Sequence, residues 1–242
     1  ERSVFYLELF HTDIPKALAV DEVLLADFEA RSSGDELLYV WEPSGFGVIV
    51  GSGTRLEREV KMELCRALKV PVFRRISGGS AVVIGPGCLM YSLFLNRRKW
   101  SGFNSPAETH RFVLTQIADG LKGQLPSIEF RDPSDLAYCG RKFSGNSIRI
   151  RRDYLLYHGT LLYRFPLEVV SLLLEEPPRQ PVWRNKRSHK EFLTNIPLAR
   201  EELATLLRDV WQACSSWTHL DWRAISQLAR DKYSRASWNE RL

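Results

Sequence analysis

Between Val72 and Leu95 the chain has room only for short strands. The runs "PVFRRI", "SAVVI" and "LMYSLFL" are each too brief for a helix, and glycine turns at Gly78–Gly79 and Gly85–Pro86–Gly87 cut them apart. Apolar runs this short, bounded by glycine and proline, predict adjacent buried strands. A chain with such a centre must build a sheet and cover it. The rest supplies the cover. "VFYLELF" (4–10) reads as a strand, and "IPKALAVDEVLLADFEA", with Pro15 in its first turn, reads as an amphipathic helix. "LLYVWE" and "FGVIVG" flank the turn "PSG" and predict a hairpin, and "EREVKMELCRALKV" predicts a second helix. "SPAETHRFVLTQIADGLKGQL" has a Ser-Pro start and helical periodicity, and the block from Ser127 to Phe165 is rich in strands. Past Pro166 come "LEVVSLLLEE", a proline- and arginine-rich link, and the helical runs "REELATLLRDVWQACSSW" and "DWRAISQLARDKYSRASW". The expected class is α+β, a mixed sheet backed by helices with a helical C-terminal part, as a single domain over residues 1–242.

Composition narrows the function. Of 242 residues, 44% are hydrophobic and 26% charged, which suits a folded domain with a real core. The net charge of +5 is a mild cation excess, fit for a nucleotide or an acidic protein partner. No helix-turn-helix, zinc or RNA-recognition signature accompanies it, so nucleic acid is not expected as a partner. No apolar run approaches the roughly 20 residues that span a bilayer, and no membrane association is expected. Cys65, Cys88, Cys139 and Cys214 are scattered without metal or disulfide spacing, which places the chain in a reducing, cytoplasmic compartment.

Two stretches carry chemistry. In "RRISGGSAV", Gly78 and Gly79 can adopt positive φ and leave room for a ligand, while successive amides form an anion-binding concavity. Arg75 adds a fork of donors suited to phosphate; the competing interpretation is a hairpin turn with solvated arginines. In "CGRKFSGNS", Lys142 sits between two glycines, where it can stabilise charge on an acyl or phosphoryl oxygen or stand as a solvated hairpin lysine. His158, in "YHGTLL", is a pocket residue or a satisfied core histidine. Neither stretch has Walker or dinucleotide-fingerprint spacing.

Together the two stretches resemble a known pair. "RRISGGSAV" is similar to the "RRxSGGGAV" loop of the lipoate–protein ligase A family, and "GRKFSGNS" with "HGTLL" resembles that family's lysine segment, about 65 residues later. "KALAVDEVLL" and "PSDLAY" extend the resemblance over most of residues 4–240. The resemblance implies a biotin/lipoate-ligase catalytic fold. It also implies a reaction in which lipoate or octanoate and ATP, with Mg2+, give an acyl-adenylate, and the acyl group passes to a lysine of an acceptor lipoyl domain. That acceptor would be of the 2-oxoacid dehydrogenase or glycine-cleavage H protein type. Carried onto this sequence, Arg75, Ser80, Ala81, Val82, Val83 and Lys142 become nucleotide-binding positions. Gly78, Gly79, Lys142 and His158 become lipoate-binding ones, and Lys142 the catalytic residue. No metal ligand is assigned.

The chain departs from the family at three points. Ser80 replaces the usual third glycine, and Ile84 and Gly85 replace a His-Asp pair; "GPG" resembles a turn of octanoyl transferases. The sequence stops at "ASWNERL", so the small accessory domain is expected to be absent; either a separate subunit supplies it or the chain only transfers a preactivated acyl group. Glu129 stands where related amidotransferases carry a nucleophilic cysteine, and Cys139 is expected to be structural. The alternatives are an ATP-independent octanoyl or lipoyl transferase and a non-catalytic docking subunit. Basic stretches "IRIRR" (148–152) and "RQPVWRNKRSHK" (179–190) are solvated surface or a dock for an acidic acceptor domain.

Overall fold

The computed structural model describes residues 4–31, 33–101, 103 and 105–242. Eleven strands occur among them: β1 (Val4–Thr12), β2 (Glu36–Pro43), β3 (Gly47–Val50), β4 (Val72–Arg74), β5 (Val82–Ile84), β6 (Cys88–Asn96), β7 (Ile128–Arg131), β8 (Asp135–Tyr138), β9 (Arg141–Ile150), β10 (Tyr154–Leu162) and β11 (Ala213–Ser216). Eight of them form one sheet in the order β11-β1-β2-β6-β10-β9-β8-β7, and β4-β3-β5 form a second, smaller sheet. β1 runs parallel to β2 and β11, while every pairing from β2 through β6, β10, β9 and β8 to β7 is antiparallel. The sheet is mixed, and helices back it.

The central strands read as they must. In β2 and β6 nearly every position is buried, so they lack the alternation of a half-solvated strand and carry Leu, Tyr, Trp, Phe and Met on both faces. One face is covered by the helix Ile14–Arg31, which buries Phe28 at 1% exposure. The Phe28 ring lies 5.5 Å from Tyr154, 5.6 Å from Phe94 and 5.2 Å from Trp217, joining helix, sheet and C-terminal region. The helix Pro106–Lys122 starts where Ser105 accepts from the Glu108 amide and Pro106 sets the first turn.

Three local expectations are corrected. "LLYVWE" and "FGVIVG" do not form a hairpin: both edges of β2 are already occupied, by β1 and β6, so the turn hands the chain to the smaller sheet, where β3 lies between β4 and β5. "EREVKMELCRALKV" is two short helices, Leu56–Glu59 and Met62–Ala67, because Val60 turns extended to reach the core and bridges Leu174. "ACSS" is not helical. Gln212 adopts φ of 52° and ends the preceding helix, after which β11 pairs with β1.

Phe28→Ala removes the ring that these layers share. We expect a loss of about 3–5 kcal/mol in unfolding free energy by urea titration; a loss within error would show that the layers close without it.

Candidate active site

The first glycine loop is built around two arginines that are buried rather than solvated, at 0% exposure for Arg74 and 7% for Arg75. Arg74 ties the loop to distant chain: Nη1 donates to the carbonyls of Gly51 (2.9 Å) and Thr54 (2.8 Å), and Nε to that of Asn239 (3.2 Å). Arg75 turns on its own loop. Nε donates to Ser77 Oγ and the Gly78 carbonyl, Nη1 to the Ile49 carbonyl, and Nη2 to the carbonyls of Gly78 and Ser80. Burial pushes the Arg75 guanidinium down to about 10, with the Glu59 carboxylate pulling the other way. At neutral pH it remains a cation.

That wrapping has a consequence for the loop. The carbonyls of Gly78 and Ser80 point to Arg75, and that of Gly79 accepts from Thr54 Oγ1 at 3.2 Å. The amides of Gly78, Gly79 and Ser80 have no hydrogen-bond partner among the described residues, so the loop presents donors and hides acceptors. Gly79 is required at this point: its φ is +88°, and a Cβ would come within 2.9 Å of Arg75 Nη2.

Lys142 is set by a bulge. Ala137 of β8 pairs with Lys142 of β9, but Leu136 pairs with Ser144, so one residue of β9 is skipped. The Lys142 carbonyl accepts from the Thr194 amide at 2.9 Å, and its Nζ lies 2.6 Å from Asp135 Oδ1. Asp135 is itself buried and accepts from Trp183 Nε1 at 3.3 Å. The lysine is therefore aimed, not solvated. Its side chain keeps 25% exposure, enough to meet a ligand.

A chain of hydrogen bonds joins the two loops. Ser147 Oγ donates to the Gly78 carbonyl at 2.8 Å. Ser77 Oγ lies 2.6 Å from His158 Nε2, and His158 Nδ1 lies 2.9 Å from Asp21 Oδ2. In the tautomer with its proton on Nδ1, His158 donates to Asp21 and its Nε2 accepts from Ser77, which in turn accepts from Arg75 Nε. The order resembles a nucleophilic triad, yet Ser77 is wholly buried and its oxygen is held by the guanidinium. This is a brace.

Two cavities open beside the brace. The first, about 400 Å³, is lined by Leu18, Trp41, Ile49, Val82 and Met90 on its apolar side, with Arg75, Gly79, His158 and Asp135 around it. The second, about 150 Å³, has Val83, Phe143, Leu162, Phe165, Phe192 and Leu193 in its wall. Ser80, Ala81, Val82 and Lys142 line both, so Lys142 stands where they meet. Gly78 lines neither; its carbonyl is spent on Arg75 and Ser147. Cys139 is exposed, on a positive-φ turn, and borders neither cavity. Residues that sequence reasoning passed over are Asp21, Ser77 and Asp135, and Arg179 in the proline-rich link, which borders both cavities. Asp21 and Asp135 lie inside "AVDEVLL" and "PSDLAY", the only signal that marked them.

Comparison with known proteins agrees with this geometry. The profile of the lipoyl protein ligase A/B catalytic domain matches residues 13–206, and the chain belongs to that family. A probable lipoate-protein ligase A of Mycoplasma pneumoniae is 28% identical over 236 residues, covering 91% of this chain and 66% of the relative. The chain thus spans just under two thirds of that relative's length. Among solved structures, a bi-partite lipoate protein ligase from Thermoplasma acidophilum, described with its E2 lipoyl domain, superposes with a TM-score of 0.80 at 21% identity, covering 99% of this chain and 97% of that one. A lipoate-protein ligase A bound with ATP gives 0.78 at 20% identity, covering 99% and 98%. At these identities the structural likeness establishes the fold.

Replacing Arg75 by Met strands several carbonyls in a dry site. We expect unfolding free energy to fall by about 2–4 kcal/mol in urea titration, with the loss reduced in Arg75→Lys. A Met variant as stable as the wild type would remove Arg75 as the loop's organiser.

Proposed function

We propose that this chain is the catalytic part of a lipoate–protein ligase, a single catalytic domain over residues 1–242. It would join lipoate or octanoate to ATP as an acyl-adenylate and pass the acyl group to a lysine of an acceptor lipoyl domain. One observation carries the reading: Lys142 stands where two adjoining cavities meet, one of about 400 Å³ and one of about 150 Å³, both mostly apolar and both bordered by Ser80, Ala81 and Val82. The family membership supports the acyl chemistry. The ATP bound to one structural relative and the E2 lipoyl domain that accompanies another support the nucleotide and the acceptor.

The steps follow from the side chains. The acyl chain occupies the first cavity, where Leu18, Trp41, Ile49 and Met90 offer a dry wall, with Gly79 and His158 beside it. The nucleotide lies against Ser80, Ala81, Val82 and Val83. A carboxylate oxygen then attacks the α-phosphorus, and the electron pair of the broken phosphorus–oxygen bond leaves with pyrophosphate. Both reactants are anions. Lys142 between them lowers their repulsion, and the unpaired amides of Gly79 and Ser80 add donors at the same place. Arg75 acts indirectly, by holding those amides outward. In the second step the acceptor amine attacks the acyl carbonyl and AMP leaves, with Lys142 stabilising the developing oxyanion.

Magnesium, which the family resemblance implies, finds no ready donor set. Among the described residues no three His, Cys, Asp or Glu side chains are grouped to hold a metal ion. Asp135 and Asp21, the buried carboxylates of the site, are occupied by Lys142 and His158. No step is assigned to the metal. A separate accessory subunit belongs to the same proposal, because the Thermoplasma relative is bi-partite. The docking surface for the acceptor is the exposed arginine cluster Arg149, Arg151 and Arg152 at the β9–β10 turn, which Arg97 braces through the carbonyls of Arg151 and Arg152.

Incubation with lipoate, ATP and an apo lipoyl domain is expected to give pyrophosphate and a lipoylated acceptor by mass spectrometry. Modification only from a preformed acyl-carrier protein would favour the ATP-independent transferase instead. Lys142→Gln keeps a donor toward Asp135 and removes the charge; both half-reactions should slow by about 100-fold or more, as for loss of one charge-stabilising donor. Full turnover in that variant would refute the assignment. Charge reversal at Arg151 and Arg152 should raise the KM for an acidic acceptor at low salt and leave kcat little changed, with the difference fading as salt rises; equal KM values would return these arginines to plain surface.

A further inference from the structure

The carboxylate that faces Lys142 has a second partner. Lys142 Nζ lies 2.6 Å from Asp135 Oδ1, and Trp183 Nε1 donates to Oδ2 at 3.3 Å. Among the described residues no other group donates to this carboxylate, and Asp135 is 3% exposed. Trp183 belongs to the proline- and arginine-rich link, which is fastened to the strand of Lys142. The Trp183 ring packs on Phe192 with centroids 4.5 Å apart, and the guanidinium groups of Arg131 and Arg187 lie 5.7 and 5.5 Å from it. Arg187 also donates to the carbonyl of Trp183 at 3.0 Å and to that of Gly140, just before Lys142, at 2.9 Å. Earlier in the same link, Arg179 and Pro181 border both cavities.

To reach ligand oxygens, the Lys142 ammonium must give up Asp135. That step leaves an ionised carboxylate in a buried place, where a missing hydrogen bond is costly. Two other groups feel the Asp135 charge, and neither is free to replace the lysine. Arg184 is spent on Glu176 and the Arg187 carbonyl, and His110 is bonded to the Tyr157 hydroxyl. The indole N–H of Trp183 only donates, and it carries no charge that would compete with Lys142 for a ligand. We propose that Trp183 is a positioning residue for Lys142: its indole holds the Asp135 carboxylate while the ammonium moves to the acyl and phosphate oxygens. This rests on the ligase reading. The segment that walls the cavities thereby also sets how readily the ammonium leaves its counter-ion.

The test is a double-mutant cycle. Trp183→Phe keeps a ring against Phe192 and Arg187 and removes the N–H, so the variant should fold normally. Its kcat in both half-reactions is expected to fall about tenfold, the size of one lost hydrogen bond to a charged group, with the KM for lipoate little changed. In an Asp135→Asn or a Lys142→Gln background the same substitution should cost less than about twofold, because no ion pair is left to exchange. An unchanged kcat in the single variant, or the same loss in every background, would overturn the proposal, the latter by showing that the ring merely packs. A second readout needs no turnover: reductive methylation of the ligand-free chain, followed at Lys142 by peptide mass spectrometry. Without the indole, Lys142 is the sole donor to the carboxylate and its charged form is favoured, so labelling should slow by about threefold or more. Equal labelling of wild type and Trp183→Phe would likewise overturn the proposal. If the wild type releases no pyrophosphate from ATP and lipoate, the ligase reading fails instead, and the labelling rates judge the hold of Trp183 on the Asp135–Lys142 pair by themselves.

Discussion

Arg75 is a cation taken almost wholly out of water, and its surroundings are arranged to make that tolerable. Burying a guanidinium costs several kcal/mol unless hydrogen bonds replace its hydration. Here the replacements are carbonyls of its own loop and of Ile49 in β3, together with Ser77. Satisfying the arginine fixes the direction of each peptide unit it touches. The loop cannot turn its acceptors toward a ligand without leaving the charge unsolvated. A stiff, donor-rich edge results, and it is extended through Ser77 and His158 to Asp21 in the helix Ile14–Arg31. One buried charge thus links the smaller sheet, the central strand β10 and the helix that covers the main sheet.

Lys142 is handled differently. It too has a buried partner, Asp135, but it keeps a quarter of its side-chain surface and reaches the meeting of two cavities. The β-bulge and the Thr194 contact fix its backbone, while four methylenes leave the ammonium free to exchange Asp135 for ligand oxygens. A ligase needs both behaviours: a rigid donor array to position two anions, and a mobile cation to follow charge from one step to the next.

The sequence displays much of this and conceals the rest for physical reasons. Strands cut by glycine and helices with plain periodicity are local features, so the α+β class, the mixed sheet and the family are legible. The sheet assignment of β3 is not, because what prevents a β2–β3 hairpin is the occupancy of β2's edges by β1 and β6, a contact between distant segments. The same holds within the site. Gly79 and Lys142 stand out by their neighbours in the chain. Asp21 and Asp135 become meaningful only when His158 and Lys142 fold against them. The burial of Arg74 and Arg75 is likewise invisible to composition, which reads paired arginines as solvated; only the ring of carbonyls around them explains the outcome.

The central claim is that one ammonium faces both halves of a mixed anhydride. A crystal structure of the chain with bound lipoyl-adenylate, or a non-hydrolysable analogue, tests it directly. The account predicts Lys142 Nζ at about 3 Å from both the acyl carbonyl oxygen and an α-phosphate oxygen, with the acyl chain beside Trp41 and Met90. An adenylate bound elsewhere, with Lys142 still held on Asp135 and touching neither oxygen, would contradict it.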